Sequence, residues 1–244
     1  MPRREWGASQ LQAVLFLKRA LLPIDIYSAL AGEPPNTQEE RPREGIRIQT
    51  GSPASDRLLQ VIMSPARVDI ITSSVIGVDI LSGAAPTLGD FDAEVSMFAA
   101  MINKWLPRCD FPVLRLALVA KALAQADTSI GAYEILKENL KSVQVQPGKM
   151  RDLLFRVNWP TPTERMPEGY LNRLTTWTAL KFGARASTPG GPEFAAVEKH
   201  YAQREIDVNT PLEHAEELPR EALLPIFGEL FEVVVQTAQQ GEVA

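Results

Sequence analysis

The stretch GIRIQTGSPASDRLLQVIMSPARVDIITS, residues 45–73, decides the fold class of this chain. It contains three short runs rich in isoleucine and valine, separated by small or polar residues; the runs are residues 45–50, 57–63 and 67–73. Apolar and polar residues alternate in these runs with a period of two, which is typical of half-buried strands. The pattern predicts a three-stranded antiparallel meander whose core-facing side chains are Leu58, Ile62, Val68 and Ile70.

Similar patterns continue on both sides of the meander. Further strands are predicted at residues 10–18, 111–121, 153–158, 171–185 and 204–208. Helices are predicted at residues 24–31, 91–106, 128–140 and 219–239, the last three from apolar residues spaced by three and four. Segments rich in proline, glycine and polar residues are expected to be exposed loops, at residues 32–42, 82–89, 160–169 and 187–192.

The expected architecture is therefore α+β. Antiparallel β-sheets, formed by the meander and the later strands, should be covered by three or four helices, with the C-terminal helix packed on a sheet. We predict a single domain over residues 1–244. Two similar sheet-and-helix halves, about 8–125 and 126–240, are an alternative description of the same domain.

Each of the three longer helices carries an apolar stripe. In the first, Asp90 is an N-cap candidate, and the stripe is Phe91, Val95, Phe98, Ile102 and Trp105. In the second, the stripe is Ile130, Tyr133, Leu136 and Leu140. The stripe of the C-terminal helix is wide enough to contact a sheet on one side and a partner on the other. Its interface candidates are Leu223, Phe227, Leu230 and Val234.

Composition and charge narrow the class of protein. The 244 residues include one cysteine and two histidines, so neither an internal disulfide nor a cysteine-rich zinc site can form. No apolar run reaches the 18 or more residues that a membrane span needs, and the N-terminus lacks a secretory cleavage pattern. We expect a cytoplasmic protein without a membrane partner. The net charge of −5 is unevenly distributed, because residues 193–244 hold 11 acidic and 3 basic side chains.

Three short segments carry a resemblance to known proteins: DRLLQV at residues 56–61, LRLAL at residues 114–118 and IDV at residues 206–208. With the order of predicted elements over residues 10–240, they make the chain resemble a sporadically distributed family of uncharacterised bacterial proteins. The resemblance implies an α+β fold built on antiparallel sheets, a bacterial origin and an accessory gene, such as one of a phage-defence cassette. It implies no catalytic residues.

The sequence contains few residues that could form a catalytic or metal-binding site. Cys109 follows a helix beside Pro107 and is interpreted as a buried structural thiol. A metal site could combine His200, Glu205 and Asp207 with acidic residues around His214, but a helix macrodipole explains acids near a helix start equally well. We therefore predict no catalytic residues, no metal and no cofactor.

A basic strand face is the most distinctive polar feature. Arg173, Trp177, Lys181 and Arg185 share one parity in the strand at 171–185, and Arg156 lies on a possible neighbour. Cations with one aromatic ring predict a platform for RNA or single-stranded DNA. The alternative is a structural ladder in which Glu205 and Asp207, on the next strand, pair with these cations across the sheet.

Elimination favours a non-catalytic role. We expect a protein that acts by binding another protein, either a copy of itself or a co-encoded partner. The first alternative is the nucleic-acid-binding module just described. The second is a metal-dependent hydrolase centred on His200, Asp207 and His214.

Overall fold

The computed structural model describes residues 5–19, 25–75, 85–184 and 197–242. Arg185, the predicted loop at 187–192 and parts of the segments at 24–31 and 82–89 lie outside the described residues. The described chain forms eleven strands and four α-helices, so the α+β prediction is confirmed. The strands are β1 (Gly7–Leu17), β2 (Thr37–Arg41), β3 (Ile46–Ala54), β4 (Arg57–Ser64), β5 (Arg67–Ser74), β6 (Gly89–Asp90), β7 (Val113–Ala126), β8 (Leu154–Asn158), β9 (Thr161–Pro162), β10 (Tyr170–Ala184) and β11 (Val197–Asn209). The helices are α1 (Ile26–Ala31), α2 (Phe91–Trp105), α3 (Ser129–Asn139) and α4 (Arg220–Gln240).

The strands form one antiparallel sheet rather than several. Its order is β2-β3-β4-β5-β1-β7-β11-β10-β8, with β6 paired to β1 and β9 paired to β10. The predicted meander is confirmed as β3, β4 and β5. The first strand lies in the middle of the sheet, because β1 pairs with β5 on one side and with β7 on the other.

All four helices pack on the same face of this sheet. One cluster of buried residues joins α1, α2 and α4 to strand residues that include Leu11, Ile70 and Leu118. A second cluster joins α3 to strand residues that include Trp177 and Ala202. The strand register places both clusters on one side of the sheet. We call this side the covered face.

The opposite side of the sheet is called the open face, because no helix of the described residues packs on it. The register assigns to it Gln12, Val14 and Phe16 of β1, Ile48 of β3, Leu58 and Ile62 of β4, Arg67, Asp69 and Ile71 of β5, Arg115, Ala117, Val119 and Lys121 of β7, Arg156 of β8, Leu174 of β10, and Glu205 and Asp207 of β11.

The predicted core parity of β4 is wrong, although that of β5 is confirmed. Val68 and Ile70 are fully buried on the covered face. On β4 the buried residues are Leu59, Val61 and Met63, whereas Leu58 and Ile62 are half-buried on the open face. The physical reason is that β4 carries apolar residues on both sides, so alternation alone cannot choose the core side.

The segment at 32–42, predicted to be a loop, contains the edge strand β2. All five residues of β2 are exposed, and it pairs with β3 over its whole length. Backbone hydrogen bonds to β3, rather than burial of apolar side chains, hold β2 in the sheet. The hydrophobic pattern of the sequence therefore gave no sign of a strand here. Its charges, including the Glu39–Arg41 ion pair at 2.7 Å, protect the sheet edge from further pairing.

The predicted helix α2 and its apolar stripe are confirmed. In α3, one residue of the predicted stripe is exposed rather than buried. Asp90 accepts a hydrogen bond from the backbone N–H of Ala93 and so caps α2 as predicted. The predicted stripe of α2 is buried throughout. On α3, Tyr133, Leu136 and Leu140 are buried, but Ile130 is 53% exposed because it lies in the first turn, beyond the edge of the packed area.

The C-terminal helix packs on the sheet, as predicted. Gly241 ends it with a left-handed φ of 76°, and the following Glu242 turns back towards α3. The Glu242 carboxylate accepts hydrogen bonds from the backbone N–H groups of Lys141 and Ser142 and from the Ser142 hydroxyl. This clasp fixes the end of α4 to the segment that follows α3.

Candidate interaction surface on the open face

The predicted basic platform on β10 is not a solvent-facing surface. Trp177 is fully buried, and Thr175 of the same parity is 3% exposed, because this side of β10 is the covered face. Lys181 is exposed near the end of the strand, where it pairs with Glu198 at 2.9 Å. Arg173 is half-buried, and burial lowers the pKa of its guanidinium. Without an exposed ring, Trp177 cannot stack on a base.

Trp177 instead helps to enclose a buried arginine. The guanidinium carbon of Arg204 lies 5.0 Å from the ring centre of Trp6, 5.3 Å from that of Trp177 and 5.7 Å from that of Phe91. Arg204 also donates from Nη1 to the backbone carbonyl of Ala238 at 2.7 Å. Burial lowers its pKa to about 10, an effect that the nearby Asp92 partly opposes. We interpret this cage as a structural joint between the sheet, α2 and α4.

Arg156 lies on the other side of the sheet from Trp177. It is opposite Thr176 in the β8–β10 register, so its side chain belongs to the open face. The structure therefore does not bring Arg156 together with Arg173, Trp177 and Lys181. Parity within a single strand could not reveal this, because the register between β8 and β10 is set by the Trp159 N–H···O=C Arg173 bond and the ladder beyond it.

The predicted partners of those cations also lie elsewhere. The strand β11 is adjacent to β10, as expected, but Glu205 and Asp207 point to the open face, opposite Thr176 and Leu174. Glu205 pairs instead with Lys121 of β7 at 3.5 Å. The predicted ladder between these acids and Arg173 or Lys181 is therefore wrong, because the two sets occupy opposite faces.

The residues of the hydrolase alternative do not converge. His200 has the same parity as Arg204 and lies on the covered face, seven positions from Asp207 on the open face. His214 is 8% exposed, and its Nδ1 lies 2.9 Å from Glu168 Oε1 in the segment after β9. Within the described ranges, no group of three or more histidine, cysteine, aspartate or glutamate side chains could hold a metal ion.

The buried thiol is confirmed. Cys109 is 2% exposed, and burial raises its pKa to about 12. A thiol with this pKa is protonated at neutral pH and is a poor nucleophile. Its packing against the core accounts for it without a catalytic role.

The predicted interface residues of the C-terminal helix belong to the core of the chain itself. Leu223, Phe227, Leu230 and Val234 are each at most 2% exposed and pack against the covered face. A partner could reach them only if the helix left the sheet.

Apolar side chains form a connected patch on the open face. Ile48 is directly opposite Ile62, and Ile71 lies diagonally next to Ile62 across the β4–β5 pair. Leu58 extends the patch on β4, and all four residues are half-buried. Branched aliphatic residues in neighbouring strands are unusual on a face that meets only water. The sequence pattern did not indicate this surface, because alternation on β4 predicted Leu58 and Ile62 to be core residues.

Polar networks occupy part of the remaining open face, which also holds the buried side chains of Leu123 and Tyr201. Asp69 accepts hydrogen bonds from Arg67 and from Gln12 Nε2, the latter at 2.6 Å. A chain of amides crosses three strands, in which Asn158 donates to Asn172, Asn172 to Asn209, and Asn209 to the Asp207 carboxylate at 2.9 Å. These bonds hold the polar side chains in fixed positions, which suits a recognition surface.

Three charges on the open face make no ion pair within the described residues. Asp207 has only the bond from Asn209, and Arg156 has no hydrogen bond. Arg115 stacks on the ring of Phe16 with its guanidinium carbon 4.5 Å from the ring centre, and its Nε donates to the Thr210 carbonyl at 3.4 Å. Burial raises the pKa of Asp207 and lowers that of Arg115. Both groups are therefore partly desolvated without a countercharge in contact.

A surface groove of about 820 Å³ lies between the 162–169 segment and the first half of α4. Its main polar groups bond to one another: Thr163 Oγ1 donates to Glu229 Oε2 at 2.8 Å, and Arg165 pairs with the same oxygen at 3.3 Å. Because the polar groups are mutually satisfied, the groove offers a ligand less than the open face does.

Comparisons with protein-family models, curated proteins and solved structures find no match to this chain. None of the helices in the described ranges has the length and apolar character that crossing a membrane requires.

Proposed function

We propose that this protein is a non-catalytic binding module that associates with another protein through the open face of its sheet. The observation that carries the proposal is the connected patch of Ile48, Leu58, Ile62 and Ile71 on a face without a helix in the described residues. Covering a half-exposed aliphatic side chain contributes about 25 cal/mol per Å² of apolar area removed from water. Burial of the four aliphatic side chains can therefore contribute free energy to binding on this face.

The sheet edges are less suited to association than the face. The β2 edge carries Glu39, Glu40 and Arg41, all exposed. The β8 edge is only five residues long, has Arg156 at its centre and is followed by Pro160. Short strands, charges and prolines are the devices that prevent edge pairing. Their presence at both edges, and the apolar patch on the face, support docking by the face.

A binding role is also supported by the separation of the candidate catalytic groups. His200 and Asp207 lie on opposite faces of β11, and His214 is buried against Glu168. General acid–base chemistry needs such groups within hydrogen-bond reach of one substrate. The resemblance to sporadically distributed bacterial proteins makes co-encoded proteins the first partners to test, together with a second copy of the chain.

The test is capture by the tagged full-length chain in its native host. The variant Ile62→Glu places a charge inside the patch, and Leu212→Glu is the matched control, since Leu212 is 72% exposed and lies outside the sheet. We expect a specific partner, or the untagged chain itself, to be retained by the control and lost from Ile62→Glu. Equal retention by both folded variants would contradict docking by the open face.

A second candidate function uses the same face for single-stranded nucleic acid. The observation that favours it is the row Arg67–Phe16–Arg115, in which both guanidinium carbons lie over the Phe16 ring, at 5.3 and 4.5 Å. Binding of this type weakens steeply as salt rises, and Arg115→Ala should reduce it. If no oligonucleotide binds at low salt, only the protein-association proposal remains.

A further inference from the structure

Arg204 is a buried cation whose hydrogen-bonding capacity is largely unused. A guanidinium group carries five N–H donors. Within the described residues, Arg204 makes one hydrogen bond, to the carbonyl of Ala238, and no ion pair, and its Nε is buried without a partner. Burying a charge that is neither paired nor fully hydrogen-bonded is costly, so a joint between the sheet and its helices gives by itself no reason for a cation at this position.

A pocket of about 200 Å³ lies beside this guanidinium. It is bounded by Trp6, by the start of α2 and by Ala238 and Gln239 near the end of α4. Trp6, Phe91 and Ala238 lie against the guanidinium and also line the pocket, so the charged end of Arg204 borders this space. A cavity of roughly 150 Å³ can hold one benzene molecule, so the pocket has room for a small organic ligand.

The charges of the pocket differ in depth. Arg204 is 2% exposed and forms the floor. The other charged residues that line the pocket are acidic and exposed, and they form its rim: Glu5, Asp90 and Asp92. A simple anion meets these acids on its way in, and a simple cation meets Arg204 at the floor. A ligand that carries a negative and a positive group a few ångströms apart matches both.

We propose that this pocket binds a free α-amino acid with an apolar side chain. The carboxylate of the ligand accepts hydrogen bonds from Arg204, its ammonium group pairs with Asp92 at the rim, and its side chain lies against Trp6. The planar donors of a guanidinium match a carboxylate, and a site of low dielectric constant strengthens the attraction between them. The pocket is on the covered side of the sheet, so this inference is independent of the proposed function.

Calorimetric titration of the full-length protein tests the site with two probes, L-leucine and L-phenylalanine. We expect at least one of them to bind saturably, with one ligand per chain. Each probe is compared with two half-molecules: the carboxylic acid that lacks the amino group and the amine that lacks the carboxyl group. For leucine these are 4-methylpentanoate and 3-methylbutylamine. Both half-molecules should bind at least about 10-fold more weakly than the amino acid, because each leaves one charge of the pocket without its partner.

Asp92→Asn is the most informative variant, because it changes an exposed side chain of the rim rather than the cage itself. It should raise the Kd of the amino acid about 10-fold but should not weaken binding of the carboxylic acid, which has no ammonium group to lose. Asp110→Asn is the matched control, since it makes the same change beyond the other end of α2, where the side chain is 95% exposed and outside the pocket. This control should bind like the wild type. Arg204→Lys should weaken binding of the amino acid about 10-fold, because lysine lacks the planar fork.

The inference is overturned if neither probe binds saturably up to about 10 mM, a concentration that nearly fills a site with a Kd of about 1 mM. It is also overturned if the carboxylic acid binds as tightly as the amino acid, or if Asp92→Asn and Asp110→Asn bind the amino acid equally well. If Arg204→Lys does not fold, as judged by circular dichroism, Asp92→Asn and the half-molecules still decide. Ile62→Glu changes the opposite face, so the capture experiment and this titration succeed or fail separately.

Discussion

Arg204 stacks against Trp177 inside the protein, with its guanidinium carbon 5.3 Å from the ring centre, and both side chains are at most 2% exposed. The pair joins two neighbouring strands, since Trp177 is directly opposite Arg204 in the β10–β11 ladder. Trp6 lies over the same guanidinium and meets Trp177 edge to face at 6.0 Å. These contacts assign Trp177 to stability rather than to ligand recognition.

Trp177→Ala should therefore destabilise the fold. Removing a fully buried tryptophan leaves a cavity and exposes the Arg204 cage, and we expect the free energy of unfolding to fall by about 3–5 kcal/mol. Urea unfolding followed by circular dichroism measures this. Lys181→Ala on the same strand is the control and should change stability by about 0.5 kcal/mol or less, because Lys181 and its partner Glu198 are both more than half exposed. Equal effects would contradict the assignment.

The C-terminal helix offers a comparison between two leucines. Leu230→Ala should cost about 2–5 kcal/mol in the free energy of unfolding, because Leu230 is fully buried against the sheet. Leu224→Ala, in the same helix but 39% exposed, should cost much less. Thermal or urea unfolding of the two variants side by side gives the difference. If both variants match the wild type, α4 does not contribute to the core as its burial indicates.

Cys109 should be inert in the native protein. A buried thiol whose pKa is raised to about 12 has almost no thiolate at pH 8, so a thiol-reactive dye should label it only after denaturation. The control Ser96→Cys adds a thiol at an exposed position of α2 and should be labelled at once in the folded state. Rapid labelling of wild-type Cys109 under native conditions would show that its surroundings open.

The Glu242 clasp should make stability depend on pH in the acid range. Burial alone would raise the pKa of Glu242, but hydrogen bonds from Ser142 and Lys141 outweigh it, and the net pKa lies below the ordinary 4.5. A carboxyl whose pKa is lower in the folded state stabilises the protein above its unfolded pKa, and this contribution is lost as pH falls through the folded pKa.

Glu242→Gln therefore has an effect that changes with pH. Charge-assisted hydrogen bonds are lost, and we expect a cost of about 1–3 kcal/mol at pH 7 that shrinks below pH 4.5. Urea unfolding at several pH values measures it. Glu216→Gln, at an exposed position, is the control and should show no such trend. A cost for Glu242→Gln that is constant with pH would contradict the role of the ionised carboxylate.

Local sequence patterns predicted most of the helices and strands, but they did not predict which side of each strand the helices cover. The cap at Asp90 and the stripe of α2 could be predicted because a helix sets both within a few residues of each other. The covered side of β10 could not, since its charges at Arg173 and Lys181 suggested solvent while Trp177 and Leu171 between and beside them are buried. Long basic side chains reach water from the rim of a helix-covered face, so charge parity misleads there.

The candidate site was the least predictable feature. An interaction surface on an open sheet depends on which face the helices leave free, and this is decided by contacts between distant residues such as Leu11, Ile70 and Leu118. On β4, apolar residues lie on both faces, so alternation did not indicate which face is buried. Among the sequence candidates for a site, Arg156, Glu205 and Asp207 lie on the open face, and none has the neighbours that alternation predicted.

The place of β7 in the sheet has a consequence for biosynthesis. One edge of this 14-residue strand pairs with β1, which is synthesised first. The other edge pairs with β11, in which Gln203, the partner of Leu123, is synthesised 80 residues later. During translation β7 is a long, apolar edge strand until residue 209 has emerged from the ribosome. Such contacts slow folding and leave a nascent chain open to aggregation. The nascent protein should therefore depend on chaperones during the synthesis of its last third.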